Sequence, residues 1–283
     1  MGNMLQLTIS VVMILSLFHL HNEVSAQSSL QIDQWIKQLE SEDWEIREAA
    51  ANSLIGLPQE FITDKVMKAL VNELEREGLR KSASEGQQEY YGWLHDALAA
   101  TRDNRVFPFI ARIGAPTALI KYGDKGIVAI LKRLDATTTC SARYYDIEVL
   151  SETLQQKPDG YVAQGRKSIT DGYVAKGKIR TSIKEAIVKE LDRSKHPDKS
   201  VEWFDIRAQE CGNVRSRIAR GLGYLAETGD NEALSILKTM AEKDPYFLDF
   251  SKRKDYKGPQ MEYPVREDVQ KILKELQKNE KKK

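Results

Sequence analysis

The chain has 283 residues, with 43 Lys and Arg against 42 Asp and Glu, so its formal net charge is +1. This balance gives no sign of a nucleic-acid partner or of an anionic membrane surface, because both favour a strongly basic chain. The length lies near the upper limit of about 250–300 residues for a single hydrophobic core, which indicates two globular domains or one elongated body. Abundant Ala, Leu, Ile, Glu and Lys predict an all-α protein.

The first 26 residues predict a cleavable secretory signal peptide (1–26). An uncharged apolar run, 5–20, is followed by small residues at 24–26, as a signal peptidase requires. An uncleaved membrane anchor is the alternative, but the run is shorter than the roughly 20 residues of a membrane span. We therefore expect cleavage after Ala26, a mature chain of residues 27–283 without a membrane span, and a secreted or periplasmic location.

Three segments of the mature chain share one helical pattern. Each has an aliphatic residue followed by arginine, and apolar residues four, eight and eleven positions after the aliphatic one. This spacing places one apolar stripe along a helix and leaves the arginine beside it. The arginines of the three segments are Arg47, Arg215 and Arg266. We interpret them as structural rather than ligand-binding residues.

Gly-Asp turns separate predicted helices, at Gly123-Asp124 and again at Gly229-Asp230. Glycine suits the left-handed position after a helix, and aspartate caps the next helix by accepting from its free amides. A weaker version of the turn has Arg102 in place of the glycine. Together with the arginine pattern, these turns predict helical pairs.

These patterns resemble the HEAT repeats, and more closely the short HEAT-like repeats of the phycobilisome-lyase type. The resemblance covers most of residues 30–278 and implies an α-solenoid of about five or six stacked antiparallel helix pairs. In that family an aspartate four residues before the arginine bonds within a ladder across the repeats. Asp43 matches that position, Glu262 is similar, and Cys211 departs from it. The departure puts the ladder in doubt at the helix 213–225.

An irregular insertion near 156–180 interrupts the helical pattern. The unit Asp-Gly-Tyr-Val-Ala-x-Gly, followed by a basic residue, begins at Asp159 and again at Asp171. Glycines at this density oppose a helix, and Asp-Gly beside an alternating sequence predicts turns or a β-hairpin. We call the segment 158–180 the duplicated loop.

The duplicated loop is a candidate binding site because insertions in repeat proteins fall on loops at one edge, where function often resides. Its basic residues suit an acidic protein or a polysaccharide, and its tyrosines supply contact area at low entropic cost. The alternative is a solvated tandem duplication without a binding role. The candidate partner-binding residues are Tyr161, Arg166, Lys167, Tyr173, Lys176 and Lys178.

Motifs for catalysis or metal binding are missing from the sequence. It contains no His/Cys cluster at zinc spacing, no calcium loop, no phosphate-binding glycine loop and no Gly-x-Ser-x-Gly motif. Cys140 and Cys211 could form a disulfide or remain buried free thiols, and the sequence leaves both open. The lysine-rich end, 279–283, predicts a solvated tail. We expect no catalytic residue, metal or cofactor.

The sequence therefore predicts an exported, non-catalytic scaffold that binds a protein partner through the solenoid surface or the duplicated loop. One alternative is an envelope-associated protein that binds polysaccharide through the basic loop. A less favoured alternative is a lyase-like enzyme or chromophore handler, which the family resemblance implies. Export argues against it, because bilin attachment to phycobiliproteins is intracellular.

The signal-peptide interpretation predicts the N-terminus of the exported chain. Cleavage after Ala26 leaves Gln27 as the first residue, and N-terminal sequencing or intact-mass measurement of the exported protein checks it. A product that retains residues 1–26 would contradict the expected cleavage.

Overall fold

The chain folds into two helical units, and the structure is a computed structural model. The described residues are 29–78, 84–155, 172–194, 201–202, 206–251, 255 and 257–281. The two compact units are Met1–Phe109 and Ile110–Lys283, so the predicted repeat region 27–283 is divided between them. Helices dominate and strands are few, which confirms the all-α class. The predicted signal peptide, 1–26, lies outside the described residues.

The helices are mostly of ordinary length, with a few short ones between them. The α-helices in chain order are α1 (29–38), α2 (Trp44–Ile55), α3 (Asp64–Gly78), α4 (Glu85–Ala100), α5 (Phe107–Ile113), α6 (Pro116–Leu119), α7 (Asp124–Ala136), α8 (Cys140–Glu152), α9 (Gly177–Arg193), α10 (Ile206–Glu227), α11 (Asn231–Lys243) and α12 (Pro264–Glu280). Two short 3₁₀ helices lie at Gln59–Phe61 and Ile120–Tyr122.

In the first unit, α1 and α3 run in the same direction, because contacts join their residues in chain order. Lys65, near the start of α3, lies 2.7 Å from Asp33 of α1. Arg76, near the end of α3, donates to the Leu39 carbonyl just after α1. The core of the unit consists of fully buried side chains such as Leu54, Leu70, Leu74, Leu94 and Leu98.

In the second unit, α8, α10 and α12 also run in the same direction, with α10 in contact with both others. A disulfide between Cys140 and Cys211 joins the start of α8 to α10, with the Cα atoms 5.0 Å apart. Toward the end of α8, Ser151 lies so close to Gly221 that an added Cβ would be 2.7 Å from its Oγ. The disulfide decides between the two alternatives that the sequence left open.

The contacts between α10 and α12 show that these two helices also run in the same direction. The Ser216 hydroxyl lies 3.0 Å from Asp268 near the start of α12, and Asn279 at its end donates to Glu227 at 3.2 Å. The helices α7, α9 and α11 precede α8, α10 and α12 in the chain, and salt bridges connect them. Lys189 of α9 pairs with Asp135 of α7, and Lys184 of α9 pairs with Asp230 just before α11.

A buried arginine joins α2 to α3. Arg47 is fully buried, and its Nε donates to Glu73 of α3 at 2.8 Å. Its Nη1 donates to the Ser41 and Glu42 carbonyls, which follow α1. Glu73 is also buried and accepts from the Tyr90 hydroxyl at 3.1 Å. We call this arrangement an arginine clamp: an arginine near the start of one helix, the carbonyls preceding it, and an acid of the next helix pair.

A second arginine clamp surrounds Arg143 in α8. Its guanidinium donates to the Thr137 and Thr138 carbonyls after α7, and its Nε lies 3.4 Å from the Glu190 carboxylate of α9. Arg193 adds a 2.6 Å salt bridge to the same carboxylate. Burial raises the pKa of Glu190, although the neighbouring arginine charges act in the opposite direction.

The third arginine clamp is formed by Arg215 of α10. Its Nη2 lies 2.6 Å from the Asp244 carboxylate after α11, and its Nη1 donates to the Leu191 carbonyl at 2.6 Å. The structural interpretation of Arg47 and Arg215 therefore agrees with their contacts. The acid that meets Arg215 is Asp244, 29 residues later, and Asp43, which matched the expected ladder position, instead caps α2 by accepting from the Glu45 amide.

The predicted turns are present with one exception. Gly229 has a φ of 92°, Asp230 accepts from the Ala233 amide at 3.0 Å, and Arg102 adopts a φ of 55° in place of glycine. The expected cap at Asp124 is wrong. Gly123 occupies the N-cap position of α7, and the Asp124 carboxylate instead accepts from the Tyr173 hydroxyl. Asp124 therefore lies inside the first turn of α7, one residue past the cap position.

Two predicted boundaries change. The duplicated loop was expected to be irregular to residue 180, but α9 begins at Gly177, so 177–180 are helical. The expected tail, 279–283, begins too early, because α12 continues to Glu280. The helix is stabilised by burial of the apolar stripe that follows its first turn, in which Ile183 and Ile187 are fully buried. Most of the predicted β-hairpin region lies outside the described residues.

A small sheet lies between the ends of helices in the second unit. Its strands are β1 (Val201–Glu202), β2 (Leu248–Asp249) and β3 (Met261–Glu262), in that order. β1 pairs with β2 in parallel, with Val201 opposite Leu248, and β2 pairs with β3 antiparallel, with Leu248 opposite Glu262. Among the described residues, no helix has the length and apolar character to cross a membrane.

Close packing of α7 against the preceding segment predicts the effect of two glycine substitutions. A Cβ on Gly126 would overlap the Leu119 carbonyl, whereas a Cβ on Gly92 of α4 meets no atom within 4 Å. Gly126→Ala therefore lowers the free energy of unfolding by about 2 kcal/mol. Gly92→Ala, the matched control, raises it by about 0.5–1 kcal/mol through helix propensity. Urea denaturation measures both, and equal effects would contradict the packing argument.

Candidate protein-binding surface

The predicted partner-binding residues fall into two groups. Tyr161, Arg166 and Lys167 lie outside the described residues. Tyr173, Lys176 and Lys178 lie at the end of the duplicated loop and the start of α9. Lys176 and Lys178 are exposed, whereas Tyr173 is half-buried. In the described part of the loop, the two lysines are therefore exposed to solvent, and the tyrosine is partly buried.

Tyr173 has a structural role at the start of α7. Its hydroxyl donates to the Asp124 carboxylate, and its ring lies next to Gly123, where a Cβ would be 3.6 Å from the ring. Burial and, next, the hydrogen bond to Asp124 raise the pKa of Tyr173 well above its usual value. The hydroxyl is thus already used within the chain, which leaves only part of the ring for a partner.

The same segment is attached to the end of α8. Ala175 is buried, and its amide donates to the Thr153 carbonyl at 2.8 Å. Arg180 donates to the Leu154 carbonyl at 2.7 Å and to the Thr228 hydroxyl at 3.1 Å. These bonds hold Lys176 and Lys178 at the N-terminus of α9, where the helix dipole disfavours positive charge by about 0.3–1 kcal/mol.

A second candidate surface lies on the outer side of α8 and α10, and the sequence analysis did not identify it. It combines two tyrosines with two arginines and two acids. We call it the α8–α10 face, and its residues are Tyr144, Tyr145, Glu148, Glu152, Arg217 and Arg220.

Arg217 is held in place at the centre of the α8–α10 face. Its guanidinium carbon lies 5.3 Å from the centre of the Tyr144 ring, and its Nη2 is 2.6 Å from the Tyr144 hydroxyl. A salt bridge of 2.8 Å to Glu148 completes its contacts. Burial opposes the charge on Arg217, but the Tyr144 and Glu148 contacts outweigh it, so the pKa of Arg217 is raised. The group is preorganised and permanently charged.

Tyr145 and Arg220 are the accessible members of the face. Tyr145 is 62% exposed, and its ring meets Tyr144 edge to face at 5.2 Å. The Arg220 side chain is 50% exposed. Its contact with Glu152, at 3.8 Å, is long for a salt bridge. Burial raises the pKa of Glu152, against the opposing effect of Arg220 and Arg217. Both accessible side chains are free to change partner on binding.

A sequence signal for this face does exist. Tyr144 and Tyr145 are adjacent on a helix, and consecutive helical residues point about 100° apart, so both cannot enter the core. The buried residues of α8, among them Ile147 and Leu150, occupy a different side of the helix. Two neighbouring tyrosines in a helix with polar neighbours therefore indicate an exposed aromatic surface.

Comparison with known proteins does not assign the chain to a family. No protein-family model matches the chain, and no curated protein is significantly similar to it. Within the described ranges, no group of three or more His, Cys, Asp or Glu side chains is placed to hold a metal ion. The α8–α10 face thus places exposed aromatic area beside charged groups.

The Tyr173–Asp124 contact predicts a stability effect with a defined pH dependence. The pKa of Tyr173 is raised above 10.0, so the hydrogen bond is present below pH 10 and is lost as pH rises through the folded-state pKa. At pH 7, Tyr173→Phe lowers the free energy of unfolding by about 1 kcal/mol. Urea denaturation measures it, with Tyr145→Phe as the exposed control. Equal effects of the two substitutions would exclude a specific role for the Tyr173 hydroxyl.

Proposed function

We propose that the chain is an exported, non-enzymatic scaffold of stacked helix pairs that holds a protein partner on its α8–α10 face. The observation that carries this proposal is the exposed Tyr145 next to Tyr144, Arg217 and Arg220. Tyrosine and arginine dominate the binding energy of protein interfaces, particularly where they are packed at the centre of a surface.

The energetic argument rests on exposure and preorganisation. Tyr145 leaves a large apolar ring in water, and covering it with a partner removes that area from solvent. Arg217 is fixed by Tyr144 and Glu148 before any partner arrives, so binding costs it little conformational entropy. Arg220, loosely paired with Glu152, can form a stronger pair with an acid of the partner.

A solenoid of HEAT-like repeats is the arrangement that we propose for this scaffold. The parallel alignment of α8, α10 and α12 supports it, as does the parallel alignment of α1 and α3 in the first unit. The arginine clamps recur at equivalent positions in both units. Stacked pairs of this kind offer an extended surface and suit a partner larger than a small molecule.

Export is the second part of the proposal. The apolar segment within 1–26 predicts a signal peptide, and the Cys140–Cys211 disulfide fits an oxidising compartment, because cytosolic thiols are kept reduced. A secreted or periplasmic location follows from both features. Neither feature selects between these two locations.

Lys176 and Lys178 favour a second candidate surface at the end of the duplicated loop. Both are exposed at the N-terminus of α9, whose first turn contains no acidic residue. An acidic protein or polysaccharide would relieve this unfavourable concentration of positive charge. Binding there would be sensitive to salt, whereas the aromatic contacts of the α8–α10 face would be much less so.

Affinity capture from the native envelope extract tests the proposal. The mature chain, 27–283, retains a reproducible partner, and Tyr145→Ala combined with Arg220→Ala weakens its binding at least about tenfold. Lys238→Ala, on the exposed side of α11, is the control and leaves binding unchanged. Circular dichroism establishes that each variant is folded.

Deletion of residues 159–170 removes one unit of the duplicated loop and separates the two surfaces. Partner binding that survives this deletion and fails in the Tyr145→Ala, Arg220→Ala variant supports the α8–α10 face. The opposite result assigns binding to the loop. Equal retention by the wild type and the double variant would refute a role for the α8–α10 face.

A further inference from the structure

Four arginines occupy the same position relative to the helix that precedes them. Arg47, Arg143, Arg215 and Arg266 each donate to backbone carbonyls at the end of that helix. For Arg266 the acceptor is the Asp244 carbonyl, 2.8 Å from its Nε. The carbonyl half of the arginine clamp is therefore present four times.

The acid half of the clamp is present only three times among the described residues. Glu73, Glu190 and Asp244, each supplied by the next helix pair, meet Arg47, Arg143 and Arg215. Arg266 belongs to α12, after which the described residues contain no further helix. Apart from its bond to the Asp244 carbonyl, its described contact is the Tyr263 ring, 4.1 Å from the guanidinium carbon. No carboxylate of the described residues fills the fourth position.

At α1, the first described helix, the residues that correspond to the acid half of the clamp are different. The segments Glu73-Leu74-Glu75-Arg76 and Glu190-Leu191-Asp192-Arg193 provide the acid and an accompanying arginine of two clamps. The equivalent segment at α1 has Gln38 and Ser41 in those two places. Clamp residues are thus replaced at α1, the first described helix, whereas Arg266 keeps its guanidinium on α12, the last described helix.

The surroundings of Arg266 resemble a small interface. Met261 of the edge strand β3 is 46% exposed, and Tyr263 follows two residues later, at the N-cap position of α12. The Phe247 ring is 6.1 Å from the Tyr263 ring, and both are half-buried. We call Phe247, Met261, Tyr263 and Arg266 the Arg266 patch. It combines adaptable apolar contact area with one cation that meets no carboxylate of the described residues.

We propose that the Arg266 patch is a second docking surface, which accepts a partner protein's helix carrying a Glu or Asp side chain. The partner's carboxylate takes the place that Glu73, Glu190 and Asp244 take in the three complete clamps. An adjacent apolar side chain, as in the Glu-Leu pairs of α3 and α9, covers Met261 and the Tyr263 ring. A second copy of this chain is a poorer occupant, because Gln38 in its α1 has no negative charge.

A synthetic peptide with the chain's own clamp sequence tests this proposal. The probe is a helix-stabilised peptide of residues 177–193, compared with the same peptide carrying Glu190→Gln, and calorimetry measures binding to the mature chain. The Glu peptide binds about tenfold tighter than the Gln peptide, because only it places a carboxylate beside Arg266. Arg266→Gln removes this preference, and Lys271→Gln, which deletes a charge on the same helix, retains it.

Equal affinity of the two peptides for the wild-type chain would overturn the proposal, as would a preference that survives Arg266→Gln. If Arg266→Gln does not fold, Arg266→Lys is used, and it must reduce the preference. Met261→Ser supplies an independent measurement, since it weakens both peptides equally. Sedimentation equilibrium identifies self-association, and self-association abolished by Arg266→Gln would assign the patch to a second copy and overturn a foreign partner.

This surface is independent of the α8–α10 face, so the two proposals fail separately. Loss of partner capture in the Tyr145→Ala, Arg220→Ala variant concerns α8 and α10 alone. Loss of peptide preference in Arg266→Gln concerns α12 and the segment before it.

Discussion

The buried guanidinium groups of Arg47, Arg143 and Arg215 determine how successive helix pairs meet. Each is bonded on one side to carbonyls of its own pair and on the other to an acid of the next pair. Removing one member of such a buried pair costs about 3–5 kcal/mol, because it leaves the other charge uncompensated. The register between neighbouring pairs is therefore set by polar groups, while leucines and isoleucines supply most of the buried area.

The proposed binding surfaces use arginine in a different way from the clamps. Arg217 lies near the same level of α10 as Arg215, yet it faces outward and is stabilised by a tyrosine and a surface glutamate. Arg215 is 3% exposed and serves the interior. Two arginines separated by one residue thus lie on opposite sides of one helix, and only Arg217 belongs to the proposed binding surface. Arg266, which is half-buried, makes the carbonyl contact of the clamps and also belongs to the second proposed surface.

The sequence predicted the helical class, the turns at Gly229 and Arg102, and the structural place of Arg47 and Arg215. It missed Arg143, because Asp146 and Thr153 stand four and eleven positions after Ala142, where the pattern requires apolar residues. It also missed the acids, which lie 26 and 29 residues from Arg47 and Arg215 and become neighbours only after the pairs stack. The repeated Glu-Leu-acid-Arg segment could have predicted two of the three clamp acids from the sequence. The cap at Asp124 was wrong because α7 has its N-cap one residue earlier, at Gly123, and the Asp124 carboxylate accepts from Tyr173, 49 residues away.

The Cys140–Cys211 disulfide has a mechanical consequence. Packed helices can slide past one another by small distances. A covalent bond between α8 and α10 near their corresponding ends blocks such a slip at this one level. No disulfide joins α10 to α12, since both cysteines of the chain are used between α8 and α10, so relative movement of these helices is opposed by non-covalent contacts alone.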